Sequence, residues 1–220
     1  LDGFTVQGGG IYTSGNPFHQ DLTNRFGGRG GGIYCRVSGP VIAHNLIRSN
    51  SLGSPFNTFE SFGGGLYGYL SHAEITGNTY TENEVLTQGD GNGGSIYCLN
   101  STLNIEDNIF HHNHALDGAA IYGNYSSLRV ARNLIQSNAL YILYALPTYM
   151  GSGDGAMTFW FARDLLVEAN TIQGNIADSG AGLCLLSPFA ARVQNNLIVD
   201  NLAWDYSGSS GGQGGGMLCE

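Results

Sequence analysis

The chain has 220 residues, of which 42 % are hydrophobic and only 11 % charged, and its net charge is −9. That balance argues against a nucleic-acid or anionic-membrane surface, since either needs a basic stripe. The longest apolar run, residues 139–146, is too short to insert across a bilayer.

In chain order, the first element is LDGFTVQGG (1–9), which matches only part of a pattern that is first complete at GGGIYCRVSGPVIAHNLIRSN (30–50). The front half of that pattern recurs as GGGLYG (63–68), GGSIYC (93–98), GAAIYG (118–123), DGAMTF (154–159), GAGLCL (180–185) and GGGMLC (214–219). The back half recurs as EITGNTYTEN (74–83), NIEDNIFHHN (104–113), RVARNLIQSN (129–138), VEANTIQGN (167–175) and RVQNNLIVDN (192–201). Each back half holds two asparagines five positions apart: Asn45 and Asn50, Asn78 and Asn83, Asn108 and Asn113, Asn133 and Asn138, Asn170 and Asn175, Asn196 and Asn201. Ile42, Ile75, Ile105, Val130, Val167 and Val193 stand three residues before the first asparagine of each pair. From Ile33 to Met217 the period averages about 31 residues.

Within each half the apolar residues alternate, and glycine, serine and asparagine separate the halves, so the elements are short strands. A unit of this size cannot bury its own face and must stack on its neighbours. The expected architecture is an all-β parallel β-helix of about seven turns with three short strands per turn, one domain over residues 1–220 and uncapped at both ends. Stacking places asparagine over asparagine, so the twelve are read as internal ladders that satisfy polar groups at the bends. The glycines are read as places where neighbouring backbone comes too close for a Cβ.

With GGGI/GGSI and I-x-x-N/F-x-x-N in place, the chain resembles right-handed parallel β-helix proteins over nearly its whole length. The repeat is similar to those of polymorphic outer-membrane proteins and of pectate-lyase-like proteins. The resemblance implies the fold; that fold carries enzymes, adhesins and passive stalks alike. A lyase of this fold would need a basic residue to take a proton from a uronate, usually with calcium. The chain has no lysine, and all eight basic residues are arginines.

Tyr34, Tyr67, Tyr97 and Tyr122 follow the inward anchors Ile33, Leu66, Ile96 and Ile121 and are expected to face outward as a glycan-binding stripe, or else to lie under a loop or serve as ordinary strand formers. Arg129 and Arg132 fall on outward positions, with Asp107 stacked beside Arg132 and Glu106 nearby. Glu106 and Glu168 are equivalent but two turns apart. Glu82 and Glu84 stack with His112 and His114 as a weak metal candidate; charge pairing between strands is the preferred alternative. Asp90, Asp117, Asp154 and Asp178 line one bend, as calcium ligands or, preferably, as turn formers. No cofactor is assigned and calcium has no direct support. Asn100 and Asn124 head glycosylation sequons. The apolar segments 139–150 and 202–206 are expected to make lateral contacts.

Four cysteines are too few for a disulfide scaffold and match no zinc spacing, so Cys98 is expected to be a buried free thiol. The sequence begins without a signal peptide and is read as a mature or excised piece. Its end strands are complementary in phase, which leads to an expectation of head-to-tail stacking. Leu1, Phe4, Val6, Met217 and Cys219 would form that interface, Cys35 and Cys219 would bond between subunits, and the axial rise would be roughly 34 Å from a strand spacing of ~4.8 Å. The function expected is an extracellular or cell-surface structural and adhesive solenoid that self-associates end to end. The alternative is a polysaccharide-binding or polysaccharide-cleaving protein, with neither nucleic acid nor membrane insertion involved.

Overall fold

A computed structural model describes residues 1–11, 28–53, 60–87, 90–140, 153–204 and 212–220. The strands are parallel throughout the described residues and fall into four long sheets plus one two-stranded ribbon, each long sheet joining equivalent strands of successive repeats. This is a parallel β-helix. Sheet 1 runs from Ile33–Arg36 to Met217–Cys219. Sheet 2 comprises Val41–Ala43, His72–Thr76, Thr102–Glu106, Ser127–Ala131, Asp164–Glu168 and Ala191–Gln194. Sheet 3 runs from Thr5–Gln7 to Leu197–Val199, and sheet 4, of two- and three-residue strands, from Gly10–Ile11 to Leu202–Ala203. Sheet 4 adds a fourth run to the three strands expected. Past the second asparagine the backbone stays extended and keeps bonding to the neighbouring repeat, as where Glu84 N donates to Asn50 O at 2.9 Å.

A single left-handed residue turns each corner between sheets. Val37, Leu70, Asn100, Tyr125, Phe161 and Ser187 sit between sheets 1 and 2 with φ of 47–50°. His44, Gly77, Asp107, Arg132, Ala169 and Asn195 sit between sheets 2 and 3, each just before a ladder asparagine. The next residue can then fold its side chain inward. Asn108 shows the outcome: its Nδ2 reaches Asn133 Oδ1 (3.1 Å), Ile75 O (2.9 Å) and Glu106 O (2.8 Å), and its backbone N donates to the same Asn133 oxygen at 2.9 Å. One such column joins Asn45, Asn78, Asn108, Asn133, Asn170 and Asn196. A second joins Asn50, Asn83, Asn113, Asn138, Asn175 and Asn201. A shorter serine column at the first corner, Ser71–Ser101–Ser126, was not anticipated; each backbone N donates to the next hydroxyl at 3.1 Å.

The interior is a stack of apolar layers. Ile42, Ile75, Ile105, Val130 and Val167 make one column and Ile47, Tyr80, Phe110, Ile135 and Ile172 another, all buried. The glycine ahead of sheet 1 is required by close approach: a Cβ on Gly94 would lie 2.4 Å from Ala119 O and 2.7 Å from His114 O.

Candidate binding face on sheet 2

The tyrosine stripe is a correction. Tyr34, Tyr67, Tyr97 and Tyr122 stack with ring centroids 5.3–5.4 Å apart and planes within 12°. Only Tyr34 is exposed, at 50 %; the other three are at 4 % or less. The cover is the stretch leading into sheet 1. Ser61–Phe62 pairs with Gly91–Asn92, the Phe62 ring lies 4.5 Å from that of Tyr97, and the Arg29 guanidinium lies 5.6 Å above Tyr67. Burial pushes the hydroxyls of Tyr67, Tyr97 and Tyr122 above the ordinary tyrosine value. These rings form an outer apolar layer, and a glycan cannot reach three of them.

The metal candidates do not assemble. His114 stands opposite Glu84, but Glu82 is engaged by the Ser49 hydroxyl at 2.9 Å and His112 faces the His111 ring. Burial holds His111 and His114 below the usual imidazole range. Among the described residues, no group of three or more His, Cys, Asp or Glu side chains is placed to hold a metal ion. The aspartates ahead of sheet 1 bind backbone instead. Asp117 Oδ1 accepts Asp154 N at 2.9 Å, Asp178 Oδ2 accepts Gly153 N at 3.0 Å, and the Asn92 amide, oriented by its own bonds, donates to Asp117 Oδ2 at 3.2 Å. Burial pushes Asp117 up to about 7; its bond from Asp154 N opposes this, and the Asp154, Asp90 and Asp178 carboxylates reinforce it. Burial, helped by Glu220 and Asp178, pushes Asp154 up to about 6.

The outer face of sheet 2 carries an open groove of about 760 Å³ that runs along the coil across five strands. Strand pairing brings its lining into rows: His72, Thr102, Ser127 and Asp164 in one, Glu74, Asn104, Arg129, Leu166 and Arg192 in the next. Beside them, Glu106, Ala131 and Glu168 are in register. Small Ala131 leaves room for the Arg129 side chain, which pairs with Glu106 and, at 2.7 Å, with Glu168. Arg132 pairs with Glu106 and with both Asp107 oxygens at 2.8–2.9 Å. Asn104 Nδ2 donates to Glu74 Oε2 at 2.8 Å. The Gln194 amide and Arg129 hold Glu168 below the usual carboxylate range, and Arg132 does the same for Asp107. The arrangement supplies both donors and acceptors along five successive strands.

A feature missed in the sequence stands at the corner between sheets 1 and 2, just ahead of groove-lining positions. Tyr125, Trp160 and Phe189 are exposed, and Phe161 joins them: its ring centroid lies 5.0 Å from Tyr125, 5.6 Å from Trp160 and 6.3 Å from Phe189. The available signal was the fourth residue after each sheet 1 anchor, which is Tyr125 after Ile121 and Phe161 after Met157.

Asn100 sits at this corner and accepts from Arg163 at 3.1 Å, whereas Asn124 Oδ1 is buried. Cys35, Cys98 and Cys184 are buried and Cys219 is exposed, all as free thiols, with the Cys98 thiol pushed up to about 12 by burial. Leu1, Phe4 and Met217 are exposed, and Val6 packs partly against the core. Most of segment 139–150 and the end of 202–206 lie outside the described residues. No protein-family model, curated protein or solved structure matches the chain.

Proposed function

We propose that this chain is a structural and adhesive β-solenoid, outside the cell or at its surface, that binds an extended polysaccharide along sheet 2. The observation that carries the reading is the open groove, whose polar and charged side chains recur in register from turn to turn. A linear polymer with repeated hydroxyls suits such a track, because each of its five strands offers at least one polar or charged side chain, of differing type. Beside the groove, Glu106, Asp107 and Glu168 are tied up in ion pairs with Arg129 and Arg132, and Asp107 and Glu168 are held ionised. Neither of these two is a proton donor near neutral pH, so neither supplies the carboxylic acid of raised pKa that glycoside hydrolysis needs, and the reading taken is binding. The likeness of the repeat to those of pectate-lyase-like and polymorphic outer-membrane proteins belongs to this reading.

Affinity electrophoresis through gels containing uncharged or acidic linear polysaccharides tests it. Retardation by at least one is expected, with Arg129→Leu weakening it about tenfold, the usual loss for one charge-assisted contact. Free migration in every gel would end the proposal.

End-to-end association between copies is a second reading, favoured by register. Cys35 and Cys219 occupy one column of sheet 1, together with Gly68, Cys98, Gly123, Phe159 and Leu185. A copy stacked in phase would bring the two thiols together at the strand spacing of ~4.8 Å, within disulfide range. Oxidised protein is expected to give a ladder on a non-reducing gel that collapses on reduction. Quantitative alkylation of both thiols under the same conditions would rule the bond out.

A further inference from the structure

We infer that the aromatic corner of Tyr125, Trp160, Phe161 and Phe189 is the apolar wall of the sheet 2 groove, and that it selects an uncharged glycan over a polyuronate. The inference rests on the groove reading given above and adds the ligand's chemical class.

Placement is the first argument. The corner leads directly into the strands that floor the groove: Tyr125 is two residues before Ser127, Phe161 three before Asp164, and Phe189 adjoins Ala190, and all three followers line the groove. The Phe189 backbone is tied back to the corner by its N–H bond to Ala162 O at 2.8 Å.

Exposure and stacking are the second. Tyr125 and Trp160 are exposed by 39 % and 44 %, and Phe189 by 70 %. Tyr125 and Trp160 each stack on Phe161 at an interplanar angle of 18°, while Phe189 is tilted by 37°. A stack of this kind shares its inner faces and leaves its rims and end faces to solvent. Exposed aromatic surface is stabilised when an apolar face covers it. A pyranose ring has such a face in its C–H groups, and its hydroxyl rim would point toward the Arg129, Glu106 and Asn104 side.

Charge decides between glycan classes. Glu74, Glu106, Asp107, Asp164 and Glu168 on this face outnumber Arg129, Arg132, Arg163 and Arg192, and two of those arginines are already paired with carboxylates. The whole chain is at −9. A polyuronate would meet like charge along the track, whereas hydroxyls can use donors and acceptors of either sign.

Titration with cellohexaose, xylohexaose and hexagalacturonate tests this in a Trp204→Phe background, which leaves Trp160 as the only reporter. An uncharged hexamer is expected to bind and shift Trp160 fluorescence to the blue, with hexagalacturonate at least about tenfold weaker. Phe161→Ala, or Phe189→Ala as a second and fully peripheral variant, is expected to lower that affinity about tenfold with an unchanged far-ultraviolet spectrum. Uncharged binding that ignores both variants and leaves Trp160 unmoved overturns the wall while sparing the groove, and so does preferential binding of hexagalacturonate. Absence of binding by all three hexamers and by the long polymers overturns the groove reading and the wall with it. A Trp160 shift that depends on protein concentration alone would make a second copy the occupant, against the proposal.

Discussion

Asn133→Ala is expected to lower the unfolding free energy by about 3–5 kcal/mol, because each buried polar group it orphans costs ~1–3 kcal/mol. Asn133 Oδ1 accepts both the backbone N and the side-chain amide of Asn108, at 2.9 and 3.1 Å. Its own Nδ2 donates to Ile105 O at 2.8 Å and to Asn170 Oδ1 at 3.0 Å. The site is sealed, since Asn108, Asn133 and Asn170 are at 2 % exposure or less, so water cannot readily take the vacated place. Urea unfolding followed by circular dichroism measures the loss. Asn104→Ala, on the solvent side of sheet 2, is the reference and should stay within about 0.5 kcal/mol of the parent. A loss below about 1 kcal/mol at Asn133 would show that water replaces the amide. A transition split in two would show the coil parting on either side of the broken column, as solenoid repeats coupled only to their neighbours allow.

The second large effect expected is a stability that falls as pH rises from about 4 to about 8. Asp117 is raised to about 7 in the folded chain, against ~3.9 in an unfolded one. The folded state therefore holds the proton more tightly. The associated stability is complete below the unfolded value and is lost as pH climbs through the folded one, up to about 4 kcal/mol. Asp154, raised to about 6, acts in the same direction. His111 and His114 are lowered and act in the opposite one, losing stability as pH falls below the imidazole range. Asp117→Asn isolates the Asp117 contribution. It keeps an acceptor for Asp154 N, and the Asn92 amide can turn to receive the new N–H. The variant should gain on the parent at pH 8 and match it near pH 4, as read from denaturant midpoints at each pH. A difference between the two chains that does not vary with pH would refute the assignment.

The sequence carried the coil because the coil is made by short-range rules repeated. Ile42, Ile75, Ile105, Val130 and Val167 recur at one offset from an asparagine, and one-turn stacking turns that offset into a column. What it could not carry was the difference between outside the coil and outside the protein. Tyr67 and Tyr97 do point away from the interior, yet Phe62 and Arg29 arrive from the preceding stretch of a neighbouring turn to cover them. No alternation pattern records that visit. The groove on sheet 2 was partly visible, in that Arg129, Arg132, Glu106 and Asp107 fall on outward positions. The pairing of Arg129 with Glu106 and Glu168 needed three-dimensional reach across Ala131. Tyr125 and Phe161 were overlooked because they sit in the corner between two recognised elements, where period-two reasoning does not apply. The fourth run of strands, around Ser51–Gly53 and Glu84–Leu86, was too short and too mixed in sequence to stand out from connecting chain.

The asparagine columns also have a mechanical meaning. Neighbouring repeats along a column are separated by 33, 30, 25, 37 and 26 residues, yet the amide contacts stay at 2.9–3.1 Å. Slack between turns is thus stored in the connections and none of it in the columns. Tension along the coil axis loads the amide columns and the sheet hydrogen bonds together, one turn in series with the next. Such a rod should be stiff until a turn gives way, then lengthen in steps, each step releasing its own stored slack. The longest step would be the 41-residue interval between Gly9 and Asn50, followed by the 37 residues between Asn133 and Asn170.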